Sequence, residues 1–341
     1  MNARRVAEES GVRTDIVKEA GRVDGGKAYR ALVDVQAEAF LLDTDSGLRI
    51  ASQPELVGSE LEEEALRAAL AAAGLIARRA SAKRVVFLHV LRASRGYRLH
   101  EALSRGGFQL HEVFVRVAYP GSGAGVHDSG TASVLLARAG SLPKGEGVLV
   151  VSDTVATGKT LQAALGFLLE LAEFKGLKLV EAHIYGFISE AGLRRVAEYL
   201  ESQGVEKVSF YAVQDLTALS SNNYDMPLYG PDLPSHEAGE PRTLGGVASE
   251  ETLARMLPRY FPGMDQPGDW SERHCVLYNG ESYERGRIRD HLERSLKALE
   301  RLREASRAYP WYGDWLDRVY EERRRALLEA LERRAYCRDT A

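Results

Sequence analysis

The amino-acid sequence predicts an α/β fold in which a mostly parallel sheet is flanked by helices. Between residues 85 and 213, apolar runs of strand length alternate with helix-like stretches, which is the pattern of βαβ units. The chain has 341 residues, enough for two domains or for one large α/β domain with additions. Its hydrophobic fraction of 45% and charged fraction of 28% are typical of a chain that folds around an apolar core.

Composition also excludes several classes of protein. No apolar run approaches the roughly 20 residues of a membrane helix, and the first residues lack the apolar core of a secretory signal, so we expect a cytoplasmic protein without a membrane partner. The 45 Lys and Arg against 49 Asp and Glu argue against a dedicated nucleic-acid binder. Cys275 and Cys337 are too few for a disulfide framework or a four-thiolate zinc site. The eight histidines lack the spacing of metal ligands.

Residues 1–60 are predicted to form an N-terminal extension, a helix plus a β-hairpin. A polar stretch up to about Glu19 indicates the helix. Two strand-like runs follow at residues 31–42 and 48–52, and the DTDSG sequence at 43–47 favours a turn between them.

Residues 61–247 carry the alternating pattern. Leucines spaced along an alanine-rich stretch predict a first helix at 61–80. The predicted strands then cover residues 85–91, 108–117, 147–151, 177–188 and 207–213, and the predicted helices cover residues 97–105, 159–174 and 190–203. Ligands of such sheets lie outside the carboxyl ends of the strands, so we expect the functional residues in the loops that follow those ends.

Three further segments complete the chain. Residues 120–130 (PGSGAGVHDSG) form a glycine-rich loop. Residues 215–247 are rich in Ser, Asn, Pro and Gly, which predicts a long ordered loop or small hood, and such a loop is usually functional. Residues 248–341 are predicted to be a helical region with an aromatic turn at 309–315. Its charges of both signs indicate a solvated face or, alternatively, a partner or dimer surface.

The segment with the clearest chemistry is residues 148–160, VLVVSDTVATGKT. An apolar strand runs through a short acidic turn into Thr-Gly-Lys-Thr at the head of a helix. Backbone N–H groups and the positive helix end at such a turn bind phosphate. Thr157 and Thr160 add hydroxyl donors, Gly158 permits close approach and Lys159 adds positive charge. Asp153 would repel a phosphate but suits the hydroxyls of a ribose.

This segment resembles the phosphoribosyl pyrophosphate (PRPP) signature of type I phosphoribosyltransferases. In that family four apolar residues precede two acidic ones, two variable ones and Ala/Asp-Thr-Gly-Gly-Thr. The apolar run, Asp153 and the Ala156-Thr-Gly part of the phosphate loop match, as does Thr160. Ser152 stands in place of the first acid, and Lys159 in place of the second glycine.

Other blocks follow in the order that the family has them, over about residues 61–235. Residues 88–94 (LHVLRAS) resemble the pyrophosphate loop Pro-Ile-Leu-Arg-Ala-Gly of uracil phosphoribosyltransferases, and residues 187–192 (FISEAG) are similar to their Ala-Pro-Glu-Gly turn. Residues 211–232 resemble their C-terminal hood at Tyr224, Pro227 and Gly230, without its Gly-Asp-Ala-Gly-Asp run. The loop at 120–130 lies where the family has a mobile lid.

The resemblance implies a type I phosphoribosyltransferase-like fold and transfer of a 5-phosphoribosyl group from PRPP to a uracil-like or other base, with release of pyrophosphate. It implies Mg²⁺ carried by PRPP rather than bound directly by the protein, and a homodimer. The residues it implies, by role, are Asp153 and Arg92 for catalysis; Ser152, Ala156, Thr157, Gly158, Lys159 and Thr160 for the phosphate and ribose of PRPP; Ala93, Ser94 and Arg116 for pyrophosphate; and Tyr224, Met226, Gly230 and Asp232 for the base.

Two other functions stay open at this point. Ser152 favours a regulatory protein that senses PRPP or a nucleotide on the same fold without catalysis. The Thr-Gly-Lys-Thr ending also resembles a P-loop NTPase or kinase, for which Asp215 would be the magnesium ligand, although the first glycine of that motif is replaced by Asp153. A purely structural explanation is a capped helix after a core strand, with Arg92 and Arg116 in ion pairs and Tyr224 packing the hood.

Overall fold

The structure is a computed structural model that describes residues 2–119 and 132–338. The predicted glycine-rich loop at 120–130 lies outside the described residues. The helices and strands are α1 (Ala3–Ser10), β1 (Val17–Val23), β2 (Gly26–Ala31), β3 (Glu38–Thr44), α2 (Asp45–Ser52), α3 (Gly58–Arg79), β4 (Arg84–Leu91), α4 (Ala93–Gly96), α5 (Leu99–Arg105), β5 (Gln109–Ala118), β6 (Ser133–Ala139), β7 (Gly145–Ser152), α6 (Lys159–Phe174), β8 (Leu177–Ser189), α7 (Glu190–Ser202), β9 (Lys207–Thr217), β10 (Tyr229–Pro231), α8 (Leu233–Glu237), β11 (Thr243–Gly245), α9 (Glu250–Met256), a 3-10 helix (Trp270–Arg273), β12 (Val276–Tyr278), β13 (Tyr283–Arg285), α10 (Ile288–Ser306) and α11 (Asp314–Glu332).

Within the described residues, a nine-stranded sheet has the order β1-β2-β3-β9-β8-β7-β4-β5-β6. The neighbours from β3 to β5 pair in parallel. The pairs β1–β2, β2–β3 and β5–β6 are antiparallel and extend the two edges. The predicted α/β class with a mostly parallel sheet is therefore confirmed, and the strands of the N-terminal extension belong to the same sheet as the rest.

The central strands are buried along most of their length because helices cover both faces of the sheet. In β4, every residue after Arg84 is buried. Val85 and Phe87 face a core formed with α3, α5 and the C-terminal helices. Val86 and Leu88 face a second core formed with α6 and α7. This arrangement leaves the carboxyl ends of β4, β7 and β9 at one edge of the sheet.

The prediction for the N-terminal region is partly wrong. The first helix ends at Ser10, where Gly11 takes a left-handed conformation, and the chain then enters β1. Residues 48–52 belong to a helix and not to a strand. The hydroxyl of Thr44 accepts a hydrogen bond from the Gly47 N–H and so caps this helix, and Asp45 in the first turn adds favourable charge.

The C-terminal region contains less helix than predicted for residues 248–341. The helical predictions hold for α10 and α11, which flank the aromatic turn, but residues 257–287 consist mainly of loops, the 3-10 helix and the β12–β13 hairpin. A disulfide joins Cys275 to Cys337, with a Cα–Cα distance of 5.7 Å, and so ties this loop region to the end of the described chain. Among the described helices, none has the length and apolar character needed to cross a bilayer.

Candidate functional site

A cavity of about 630 Å³ lies at the carboxyl ends of β4 and β7. It is formed by the loop after β4, the loop between β7 and α6, the hood, and a stretch of the C-terminal region that we call the wall segment (residues 265–272). The residues around it are Arg92, Ala93, Tyr119, Thr154, Val155, Ala156, Thr157, Gly158, Thr160, Leu161, Asn222, Asn223, Tyr224, Asp265, Pro267, Gly268, Asp269, Trp270, Ser271, Glu272, Arg287 and Arg294. Predicted residues from three separate blocks therefore line one cavity, and the wall segment completes it.

The loop between β7 and α6 forms a cradle of backbone donors. The N–H groups of Ala156, Thr157, Gly158 and Thr160 donate no hydrogen bond to any residue that the structure describes. Gly158 sits at the N-terminus of α6 with φ of +77°, a conformation that favours glycine. The helix therefore begins with unpaired donors that face a cavity, which is the arrangement that binds phosphate.

The end of β8 and the first turns of α7 hold the cradle in place. The hydroxyl of Ser189 donates to the Ala156 carbonyl at 2.5 Å, and the Arg195 guanidinium donates to the Thr157 carbonyl at 2.8 Å. A side chain at Gly192 would lie 2.5 Å from the Ala156 oxygen, so only glycine fits at this approach. Ser189 and Gly192 of the FISEAG block therefore have a structural role here, since they fix the shape of the cradle.

Arg92, at the end of β4, reaches two carboxylates of the C-terminal region. Its guanidinium donates to Glu272 at 2.7 Å and to Glu284 at 2.9 Å. Burial alone would raise the pKa of Glu272, but hydrogen bonds from Arg287 and Arg92 outweigh it and hold that pKa at about 2. Arg92 thus lies at the cavity as predicted, and its positive charge is balanced by Glu272 and Glu284.

A second cleft of about 490 Å³ adjoins Arg92. Four arginines and two glutamates surround it, namely Arg92, Arg116, Arg285, Arg287, Glu272 and Glu284. Arg116, predicted for pyrophosphate, lies here and not on the larger cavity. Because arginine exceeds glutamate by two, the cleft favours an anion.

Ser94, Ser152 and Asp153 lie beneath the cavity and do not line it. The Ser152 and Ser94 hydroxyls are 3.1 Å apart, and Ser152 also donates to the Ser94 carbonyl at 3.1 Å. Both serines are fully buried, and their hydrogen bonds join the end of β7 to α4. Asp153 is 4% exposed, and its burial raises the pKa of its carboxyl to about 8.

The hood contributes its first residues to the cavity and its later ones to the core. Tyr224 lines the cavity with 42% of its surface exposed. Met226 is fully buried in the apolar core, and Gly230 packs so closely on Pro262 and Gly263 that a side chain would overlap them. Asp232 is buried and accepts a hydrogen bond from the Ser220 hydroxyl at 2.6 Å. Of the four residues predicted for the base, Tyr224 alone is therefore at the cavity.

Arg273 anchors the wall segment to the core. Its guanidinium is fully buried and donates to five backbone carbonyls at 3.0–3.3 Å, those of Ile50, Gln53, Leu56, Gln266 and Pro267. Trp270 then stacks on Tyr97 with 4.5 Å between ring centroids. These contacts fix a segment that has little regular structure of its own.

Two carboxylates of the wall segment are neutralised by arginine, and a third is not. Asp269 accepts two hydrogen bonds from Arg294, at 2.6 and 3.0 Å, and Glu272 pairs with Arg92 and Arg287. Asp265 accepts the Met226 N–H at 2.7 Å but has no ion pair with any described residue. Burial raises the pKa of Asp265, and the negative charges of Asp225 and Asp269 raise it further.

The two residues that a P-loop enzyme would need are not at the cavity. Lys159 is not among the lining residues. Asp215 is fully buried, and both of its carboxylate oxygens accept from the Gln266 side-chain amide at 3.0 Å. Among residues 2–119 and 132–338, no group of three or more His, Cys, Asp or Glu side chains could hold a metal ion.

The sequence interpretation missed the wall segment entirely. Its residues follow no known motif and lie in a region predicted as helical. The available signal is local: Asp265, Asp269 and Trp270 flank one proline and one glycine in DQPGDWSE, without helical spacing of apolar residues. Such a stretch between helices resembles the hood in composition, which would have made it a candidate for the site.

Comparison with known proteins gives distant matches of fold. No protein-family model and no curated protein matches this chain. The AQ2163 protein from Aquifex aeolicus aligns over 53% of this chain and 86% of its own, at 15% identity and a TM-score of 0.38. Adenine phosphoribosyltransferase from Trypanosoma brucei, in complex with AMP, pyrophosphate and ribose-5-phosphate, aligns over 54% and 85%, at 18% identity and a TM-score of 0.36. Hypoxanthine-guanine phosphoribosyltransferase from L. donovani aligns over 46% and 79%, at 18% identity and a TM-score of 0.30. At these identities and TM-scores, the function of this chain rests on its own site.

Proposed function

We propose that the protein transfers a 5-phosphoribosyl group from PRPP to a nitrogenous base and releases pyrophosphate. The observation that carries this proposal is the cradle formed by the N–H groups of Ala156, Thr157, Gly158 and Thr160, which have no partner among the described residues and open into the same cavity as Arg92. N–H donors that suit a phosphate follow β7, and the Arg92 cation follows β4. Together they suit a ligand with phosphate at both ends. The resemblance of residues 148–160 to the PRPP signature supports the same assignment.

Each part of the cavity then has a place in the reaction. Breaking the anomeric C–O bond of PRPP develops positive charge on the ribose and negative charge on the leaving pyrophosphate. The cradle binds the 5′-phosphate, and Arg92 with the N–H groups near Ala93 stabilises the pyrophosphate, because fixed donors aimed at developing charge lower a barrier most. Asp153 and Ser152 are buried, so the proposal gives neither a direct contact with the ribose.

The acidic side chains around Arg92 in the described site are consistent with Mg²⁺ that arrives bound to PRPP. Glu272 and Glu284, the carboxylates nearest Arg92, are both engaged by that arginine. Mg²⁺ keeps several waters and binds readily through phosphate oxygens, so we expect it to come with PRPP and to neutralise part of the pyrophosphate charge. A uracil-like base and a homodimer stay predictions.

Pyrophosphate release tests the proposal directly. The protein is incubated with PRPP, MgCl2 and one base at a time from a panel of adenine, guanine, hypoxanthine, xanthine, cytosine, uracil and orotate. We expect release with at least one base, and a rate at least tenfold lower in Thr157→Ala. Ser202→Ala is the matched control, since its hydroxyl contacts only exposed parts of α7 and the residue after it. PRPP binding without release from any base would contradict a transferase.

A PRPP-sensing protein is the second candidate, and the ion pairs of Arg92 favour it. Glu272 and Glu284 already satisfy the guanidinium that pyrophosphate would need. In a sensor, PRPP would displace these carboxylates and move the C-terminal region without any chemistry. Binding of PRPP that changes the protease sensitivity of residues 265–287, with no pyrophosphate released from any base, would identify this function.

A further inference from the structure

The transfer reaction leaves a proton to be placed. When a neutral acceptor that carries an N–H attacks the ribose through nitrogen, this proton must leave as the N–C bond forms. Proton transfer to a positioned side chain contributes about 10²–10⁴-fold to such reactions. This inference rests on the proposed function, because it concerns the acceptor half of the same cavity.

The described part of the cavity offers three carboxylates for this role, Asp265, Asp269 and Glu272. Asp269 is bound twice by Arg294, and Glu272 is bound by Arg92 and Arg287. The carboxylates of Asp269 and Glu272 are therefore already occupied by ion pairs. Asp265 has no such pair within the described residues, so its carboxylate is the one of the three that is available to take up a proton.

The backbone fixes Asp265 without using up its carboxylate. Oδ1 accepts the Met226 N–H at 2.7 Å, and Oδ2 has no hydrogen-bond partner in the part of the chain that the structure describes. The Gln266 N–H donates to the Met226 carbonyl at 3.3 Å, so the hood and the wall segment are joined beside this group. One carboxylate oxygen is therefore held while the other remains available at the cavity.

The surroundings of Asp265 are predominantly acidic. The charged and titratable groups that act on it or respond to its charge are Asp225 and Tyr224 of the hood, Asp269 of the wall segment, Tyr260 after α9, and the buried Arg273. Burial and the two neighbouring aspartates raise the pKa of Asp265, and Arg273 opposes them. Such surroundings repel an anionic acceptor and increase the affinity of the carboxylate for a proton.

We infer that Asp265 is the catalytic proton acceptor for a nitrogen acceptor that carries an N–H and no negative charge. The acceptor nitrogen forms a bond to C1′ of PRPP while the C1′–O bond breaks. The electron pair of the C1′–O bond leaves with pyrophosphate. The N–H proton passes to Oδ2 of Asp265. Neutral bases or amines therefore fit the site, and a carboxylated base such as orotate does not.

Asp265→Asn tests this role, because Asn keeps an oxygen that accepts the Met226 N–H while it cannot take up a proton. Asp290→Asn is the matched control, since Asp290 is exposed at the first turn of α10. We measure PRPP binding by calorimetry in the presence of Mg²⁺, and then pyrophosphate release from pH 5 to 9 with each base of the panel. Circular dichroism verifies that both variants are folded.

We expect Asp265→Asn to bind PRPP within twofold of wild type and to lose at least 100-fold in rate. The wild-type rate should fall on the acidic side of its profile, and the variant should lose that limb. A rate within threefold of wild type, an unchanged acidic limb, orotate as the preferred acceptor, or no release with any neutral base while PRPP still binds would each overturn the inference. Absence of PRPP binding in wild type would instead reject the proposed function.

Discussion

The indole N–H of Trp270 donates a hydrogen bond to the carbonyl of Ala93 at 3.2 Å. Ala93 is the first residue of α4, in the segment that follows β4, and Trp270 belongs to the wall segment 177 residues later in the chain. The loop that we assign to pyrophosphate is therefore positioned in part by the C-terminal region. It follows that this region is an integral part of the site.

Trp270→Phe should weaken both the fold and the site. Phenylalanine keeps a ring against Tyr97 but loses the hydrogen bond to Ala93, so we expect the free energy of unfolding to fall by about 1 kcal/mol. PRPP affinity should fall several-fold, because the carbonyl of Ala93 loses its partner. Urea unfolding and calorimetric titration measure the two effects. Unchanged PRPP affinity would show that the wall segment does not position this loop.

Arg273→Met should destabilise the protein strongly. The substitution leaves five backbone carbonyls without their donor in a buried region, so the expected loss is about 3 kcal/mol or more of unfolding free energy. Arg289→Met is the control: its exposed ion pair with Glu293 should contribute less than about 1 kcal/mol. Similar urea midpoints for the two variants would contradict the anchoring role of Arg273.

Asp215 should make stability fall as the pH rises. Burial raises its pKa from the ordinary value of 3.8 to about 8 in the folded protein, and the hydrogen bond from Gln266 opposes this shift. When the pKa of a carboxyl is higher in the folded than in the unfolded protein, the group contributes its full stabilisation of the fold below the unfolded-state pKa. This stabilisation is lost as the pH rises through the folded-state pKa. Between about pH 5 and pH 7 the loss is on the order of 1 kcal/mol per pH unit.

Asp215→Asn removes this dependence while keeping an oxygen for the Gln266 amide. The slope of unfolding free energy against pH should therefore become less negative by about the contribution of one bound proton. Urea unfolding at pH 5, 6, 7 and 8 measures this slope. Asp153, whose pKa is also about 8, should maintain the remainder of the slope. Parallel curves for wild type and variant would contradict ionisation of Asp215 in this range.

The disulfide between Cys275 and Cys337 should stabilise the loop region that carries the wall segment. It closes a loop of 62 residues, so its reduction is expected to cost about 2–4 kcal/mol. Urea unfolding with and without a phosphine reductant measures this difference. Cys337→Ser should unfold at the reduced midpoint under both conditions. If the reductant leaves the wild-type midpoint unchanged, the bond does not constrain the fold.

Local patterns were sufficient to predict the central sheet and its helices. Lys159–Phe174 is helical over the predicted residues, because its apolar spacing and the Gly158 start are both local signals. The short run at 48–52 was misassigned because an apolar stretch of this length fits a strand or a helix equally well, and the cap at Thr44 decides between them. The pairing of β3 with β9 joins residues about 170 positions apart, and no local pattern encodes such a partner.

The site was predictable from the sequence where its residues belong to a local motif. Residues 156–158, Thr160, Arg92 and Tyr224 reach the cavity as expected, since each follows the end of a strand or opens the hood, whereas Lys159 does not line it. Met226 and Asp232 do not, because the hood turns inward after Tyr224 and buries them. Asp265 and Trp270 reach the cavity through contacts between distant parts of the chain, namely the Met226 N–H for Asp265 and Tyr97 for Trp270. Arg273 supports both, and its five acceptors also come from two distant parts of the chain.

Calorimetric titration of PRPP with Mg²⁺ into wild type, Thr157→Ala and Ser202→Ala tests the central claim most directly. Thr157 lines the cavity, and its hydroxyl accepts only a long bond from the Lys159 N–H within the described residues, so its removal should weaken the cradle. We predict micromolar binding to wild type and Ser202→Ala, and affinity at least tenfold lower in Thr157→Ala. Absence of heat with PRPP, or equal affinity in all three proteins, would contradict a PRPP site at residues 156–160.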